Sequence, residues 1–188
     1  PEDVHVSVEA ADGGFYADMD ILWLRPLDDV WQRVRDADAV FCLEDGFMAV
    51  GFLAASPGCS IFREVLERAS DVSATNHYQC FGTDLFYRTF PTWDRSCDPI
   101  GVKTIKQICK VTPHLAIEIL PDETVYPFDW REIDQIFSQA SIVPEETIGL
   151  HWFGGSPLAQ RWNRQMTAES WRDYHNTFAN CLHSLGTL

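Results

Sequence analysis

The chain has 188 residues, of which 46% are hydrophobic and 22% charged, a globular composition with enough apolar material for a buried core. Its formal net charge of −14 repels polyanions, which argues against a nucleic-acid or anionic-membrane surface and leaves a small anionic ligand in need of a bridging cation or a local cluster of donors. No apolar run reaches the roughly eighteen residues that a membrane-crossing helix needs.

In chain order, Gly13-Gly14 permits a close backbone approach, and Phe15 to Leu24 reads as a buried strand that ends in a polar turn and resumes. Pro26 stops it, and Asp28 or Asp29 is placed to cap a short helix from Val30 to Arg35. Ala39 to Leu43 and Met48 to Ala55 have strand length, with Glu44-Asp45-Gly46 as the turn between them. Ser56-Pro57-Gly58 leads into a helix from Cys59 to Ala69, striped by Ile61, Phe62, Val65, Leu66 and Ala69. A second helix is predicted from Thr83 to Phe90, then a loop from Pro91 to Val102. Leu115 to Leu120 and Thr147 to Phe153 read as strands, the latter broken by Gly154-Gly155-Ser156-Pro157. The tail from Ala168 to Leu182 reads as an amphipathic helix. This alternation predicts one α/β layered domain over the whole chain, with a mostly parallel sheet and Phe15 to Leu24 at its centre. Among six cysteines no C-x-x-C pair occurs; the even count permits disulfides, while Cys42, Cys59 and Cys109 sit in apolar sequence that suits buried thiols.

Asp18-Met19-Asp20 carries the strongest chemical signal. In a regular strand these acids would share one face, amid Tyr16, Ile21 and Trp23, where two bare carboxylates are costly and a divalent cation removes the cost. The bland alternative is a solvated turn with two incidental acids. His151, at a strand end before Gly-Gly-Ser, suits Mn²⁺ as an imidazole ligand, or is a core histidine bonded to backbone. Glycines at 154 and 155 would let backbone N–H groups approach a phosphate. Asp84 either orients substrate hydroxyls or sits in a first helical turn favoured by the dipole. Glu44 and Asp45 suit turn chemistry better than catalysis. Of seven tryptophans, Trp23, Trp130, Trp152 and Trp162 lie nearest these segments, as stacking platforms for sugars or as packing.

The run Gly13-Gly14-Phe15-Tyr16-Ala17-Asp18-Met19-Asp20, followed by Leu24-Arg25-Pro26-Leu27, resembles the Gly-Gly-x-Tyr-x-Asp-x-Asp motif of the DXD sugar-transferase family, which includes Golgi α-mannosyltransferases and the glucosylating domains of large toxins. Weaker matches are the strand and cap from Met48 to Gly58, the loop Gln79 to Asp84, Tyr126 to Trp130, and Ile148 to Ser156. The resemblance implies a GT-A fold, a Rossmann-like sheet between helices. It further implies Mn²⁺ or Mg²⁺ held by Asp18, Asp20 and His151, a nucleotide-sugar donor contacted by Tyr16, Asp18, Asp20, Gly155 and Ser156, a glycan or other hydroxyl acceptor, and transfer with retention. Asp84 is the matching candidate for a catalytic carboxylate, and Asp84 or Glu44 could serve as general base were transfer inverting instead. Where the family has an Asp and an Arg upstream of Gly-Gly, this chain has Glu2 and His5, which removes a donor contact. The family's first β-α-β unit, which holds the base, would precede Pro1, so the chain reads as an N-terminally incomplete piece. A non-catalytic nucleotide- or sugar-binding remnant is therefore the alternative. The compartment stays open between a cytoplasmic membrane face and the Golgi lumen. A phosphatase of the haloacid-dehalogenase type also uses Asp-x-Asp, but Gly-Gly precedes the motif here and no downstream Lys and Asp-Asp set follows.

Overall fold

The computed structural model describes residues 11–71 and 80–186. Glu2, His5 and Gln79 lie outside the described residues. The chain divides into two compact units: one holds the segment ending at Asp18 together with Trp31–Pro121, the other Met19–Val30 and the segment from Asp122.

The sheet of the first unit contains β1 (Gly14–Ala17), β3 (Ala39–Glu44), β4 (Phe47–Ala55) and β5 (Ile117–Leu120), in the order β1-β4-β3-β5. Between β3 and β4 the predicted turn is tight: Asp45 and Gly46 both take positive φ, at 47° and 77°. Two such residues twist a hairpin the way strands twist, so β4 returns antiparallel to β3. β1 also runs antiparallel to β4, with Gly14 opposite Ala55 and Ala17 opposite Phe52. The predicted short helix ahead of β3 is α1 (Asp28–Val34). Only β3 and β5 pair in parallel, Ala39 opposite Ile117, after a crossover through α2 (Ser60–Ala69), α3 (Thr83–Thr89) and α4 (Ile100–Val111).

The sheet is thus mixed rather than mostly parallel, because a two-residue hairpin joins β3 to β4 where parallel pairing would need a crossover. Nor is Phe15 to Leu24 one central strand. It splits into β1, at an end of the described sheet, and β2 (Ile21–Trp23), in another sheet, since Asp18 to Asp20 leave the extended path. What holds for the fold as a whole is α/β layering, with a mixed sheet between helices.

Helix α2 buries Ile61, Phe62 and Val65, as its stripe requires. Phe41 of β3 stacks on Phe62 and meets Phe86 of α3 edge-on, each at 5.9 Å, to form the aromatic centre of this core. The loop expected over Pro91 to Val102 gives way at Ile100 to α4, which no sequence pattern had indicated. Its buried positions are Gly101, Thr104, Ile105 and Ile108; the spacing is helical, but a glycine and a threonine dilute the apolar stripe. Gly101 is required there, since a Cβ would come within 2.5 Å of the Gly46 carbonyl oxygen. All six cysteines are thiols. Cys42 and Cys59 are buried as expected, whereas Cys109 is exposed, being on the outward side of α4 beside the inward Ile108.

In the second unit β2 pairs antiparallel with β6 (Gly149–His151), placing Ile21 opposite His151 and Trp23 opposite Gly149. The core gathers Phe128, Leu150, Ala159 and Cys181 with Ile133, Ile136 and Phe137 of α5 (Ile133–Phe137). Ser156 caps α6 (Pro157–Gln165): its Oγ accepts the Ala159 N–H at 3.1 Å, with Pro157 in the first turn. The predicted tail helix is interrupted. A 3₁₀ turn, Trp171–Asp173, precedes extended residues, and α7 (Thr177–Ser184) starts afresh at Asn176.

Buried Asn176 accepts the Ala179 N–H at 2.9 Å and donates to the Phe137 carbonyl at 2.8 Å, so one side chain caps α7 and satisfies the end of α5. Asn176→Ala is expected to lower unfolding stability by about 2 kcal/mol, from the lost cap and a stranded carbonyl. Urea unfolding checks this; an unchanged midpoint would assign the cap no weight.

Candidate metal centre

The Asp-x-Asp segment forms a turn instead of a strand. Asp18 follows β1 and its N–H donates to the Gly51 carbonyl at 2.8 Å. The Tyr16 hydroxyl donates to the Asp18 carboxylate. Met19 is at the turn, 98% exposed. The acids therefore do not share a strand face, as the sequence suggested; each is aimed by its own partners.

Asp20 is fixed from both ends. Its carbonyl accepts the Trp152 N–H at 3.0 Å. One carboxylate oxygen, Oδ2, accepts the Gly154 N–H at 2.5 Å, and Oδ1 lies 3.2 Å from His151 Nε2. Gly154 can come this close because it has no side chain: a Cβ would stand 3.2 Å from Asp20 Cβ and 2.9 Å from Trp152 Nε1. Burial works against the Asp20 charge, but the hydrogen bonds from the His151 side chain and the Gly154 N–H outweigh it, and the carboxyl is held below its ordinary value.

His151 is the last residue of β6 and only 7% exposed. Its N–H donates to the Val125 carbonyl at 3.0 Å. The Tyr126 ring covers it, with centroids 5.0 Å apart, and Phe153 meets it edge-on at 4.5 Å. Nδ1 accepts the Phe153 N–H at 3.3 Å. The β2–β6 register explains the meeting of Asp20 and His151, since Ile21, next to Asp20, stands opposite His151.

Asp18, Asp20 and His151 each offer one ligand atom, and these atoms lie within 4.8 Å of one another. Two carboxylates and one imidazole make a mixed oxygen–nitrogen set suited to Mn²⁺ and tolerable for Mg²⁺. The three residues that the sequence singled out as metal ligands are thus brought together.

The other expected residues have different surroundings. Tyr16 orients Asp18. Ser156 is occupied by its cap, and its own N–H bonds the Phe153 carbonyl at 2.8 Å. The Gly155 carbonyl accepts from Gln160 Nε2 at 3.1 Å. Two backbone donors of the Gly-Gly-Ser run, at 154 and 156, are therefore engaged within the protein. Asp84 lies in the first turn of α3, outside the Asp–Asp–His group, and its charge adds to burial in raising the Tyr87 phenol above its ordinary value. Trp162 stacks on Phe137 at 5.8 Å and Trp152 meets Phe178 edge-on at 5.1 Å, which is core packing. Trp23 is half-buried beside Gly149, and Trp130 is exposed under Arg131. Sequence reasoning missed Gly154 as the residue that holds Asp20, and Phe153, whose φ of 54° is unusual for a side chain of its size. The only signal for either was the place of Gly154 three residues after a strand-end histidine.

No protein-family model, no curated protein sequence and no solved structure matches the chain.

Proposed function

We propose that the chain is a metal-dependent glycosyltransferase that moves a sugar from a nucleotide-sugar donor to a hydroxyl acceptor. The observation that carries this reading is the convergence of Asp18, Asp20 and His151 on one small volume, in a chain whose acidic surface is otherwise unsuited to a diphosphate.

Asp18, Asp20 and His151 would hold Mn²⁺ or Mg²⁺, and the cation when bound would neutralise charge developing on a departing nucleoside diphosphate. The protein's own part is orientation. Tyr16 aims Asp18, Gly154 holds Asp20, and the Tyr126 ring fixes the imidazole plane. The bond broken is that between the anomeric carbon and the phosphate oxygen, and the bond formed joins that carbon to the acceptor oxygen. The acceptor proton leaves with the departing phosphate, so retention needs no dedicated base. The GT-A assignment and retention follow from the resemblance of Gly13 to Asp20 and belong to the same proposal.

A donor-hydrolysis screen with Mn²⁺ across several nucleotide sugars tests the reading. Release of nucleoside diphosphate that chelator abolishes is expected, with the α-anomer of the free sugar as the first product from an α-linked donor. Binding without turnover would make the chain a nucleotide- or sugar-binding module, and no Mn²⁺-dependent binding at all would end the transferase reading.

A further inference from the structure

We infer that a divalent cation and the Phe153 backbone amide compete for His151, so that cation binding releases the Phe153 N–H as a donor for an anionic second ligand; this rests on the metal reading of Asp20 and His151.

A neutral imidazole has one nitrogen that accepts and one that donates. The Phe153 N–H points at Nδ1, 3.3 Å away, which assigns the lone pair to Nδ1 and the proton to Nε2. Nε2 then donates to Asp20 Oδ1 at 3.2 Å. A cation also needs a lone pair. If Nε2 becomes the ligand, the proton must sit on Nδ1, where it faces the Phe153 N–H. If Nδ1 becomes the ligand, its lone pair is taken. Either way the Phe153 amide loses its acceptor.

The surrounding bonds confine the response. On one side, the His151 N–H is held by the Val125 carbonyl and the Trp152 N–H by the Asp20 carbonyl, both at 3.0 Å. On the other, the Gly154 N–H is held by Asp20. The peptide unit between Trp152 and Phe153 is the one whose hydrogen bond is given up. Phe153 also has a left-handed backbone, φ 54°, a conformation unfavourable for an L-residue. The contact with Nδ1 offsets part of that cost, so its loss favours reorientation. A backbone N–H beside a bound cation suits a phosphate or similar anionic oxygen already drawn to that cation. The consequence is an order of binding: cation first, then the anion.

Amide hydrogen exchange at single-residue resolution tests this, on the full chain, without cation, with saturating Mn²⁺, and with Mn²⁺ plus inorganic pyrophosphate. Mn²⁺ alone is expected to speed exchange at Phe153 about tenfold or more, an opening easier by about 1.4 kcal/mol, while the amides of His151 and Trp152 keep their protection. Pyrophosphate is then expected to slow Phe153 again, and to have no such effect without Mn²⁺. Ordinary rigidification by a ligand would slow all three amides together. If Mn²⁺ saturates a site that needs Asp20 and Phe153 exchange is unchanged or slower, the competition is wrong while the metal reading stands. If Mn²⁺ does not bind the parent chain, the metal reading and this inference fall together.

Discussion

Asp20→Asn is expected to weaken Mn²⁺ binding by about a hundredfold or more, a loss of roughly 3 kcal/mol. The substitution keeps the size of the side chain and removes its charge. Asn can present an oxygen either to the Gly154 N–H or to His151 Nε2–H, not to both in the way that a carboxylate does. It also deprives any cation of a ligand whose charge is already in place, since the Asp20 carboxyl is held below its ordinary value. The pH dependence follows in sign. A carboxyl with a lowered value stabilises the folded chain above its unfolded-state value, and that contribution is lost as pH falls through the lowered one. The parent should therefore lose this stabilisation only in acid, and Asp20→Asn should lack it. Calorimetry with Mn²⁺ and thermal unfolding against pH check both parts. Parent-like Mn²⁺ affinity in the variant would remove Asp20 from the ligand set.

Gly154→Ala should be the second most damaging change, by a different route. The glycine does not need a left-handed backbone, so alanine is allowed in conformation. What alanine lacks is room. Its methyl would be placed 2.9 Å from Trp152 Nε1, 3.2 Å from Asp20 Cβ and 3.3 Å from Asp20 Oδ2. The indole is itself packed against Phe178, so the loop rather than the ring has to yield. We expect a stability loss of about 1–3 kcal/mol from overpacking and about tenfold weaker Mn²⁺ binding, because the Gly154 N–H is drawn away from Asp20. Urea unfolding and the same calorimetry separate the two effects. Normal Mn²⁺ affinity in a destabilised variant would show that the Gly154 hydrogen bond does not position the carboxylate.

The two acids and the histidine were legible because their chemistry is local. Asp18-Met19-Asp20 stands out among apolar neighbours, and His151 stands before two glycines. The geometry attributed to them was not legible. A strand face was expected, but the acids occupy a turn and are aimed by Tyr16 and Gly154, contacts that depend on tertiary structure. The strands from Ala39 and to Ala55 and the helix at Ser60 followed from strong apolar patterns and from Asp45-Gly46 chemistry. The sheet's mixed pairing did not, since pairing partners leave no periodic trace. Helix α4 was hidden by Gly101 and Thr104 in its buried stripe. Asp84 could be read from sequence as a helix-start acid or as a substrate contact, and the first turn of α3 is where it sits.

The pairing of β2 with β6 also bears on biosynthesis. Gly154 and Asp20 are 134 positions apart, and Asp20 has no access to its histidine until β6 has been made. During translation the acidic turn emerges well before its histidine, and a contact of such high sequence separation is slow to close. A nascent or prematurely terminated chain ending before Gly149 carries both acids but not the imidazole. A cation held by all three side chains would thus require that synthesis has passed β6, and a product aborted before it carries an incomplete ligand set.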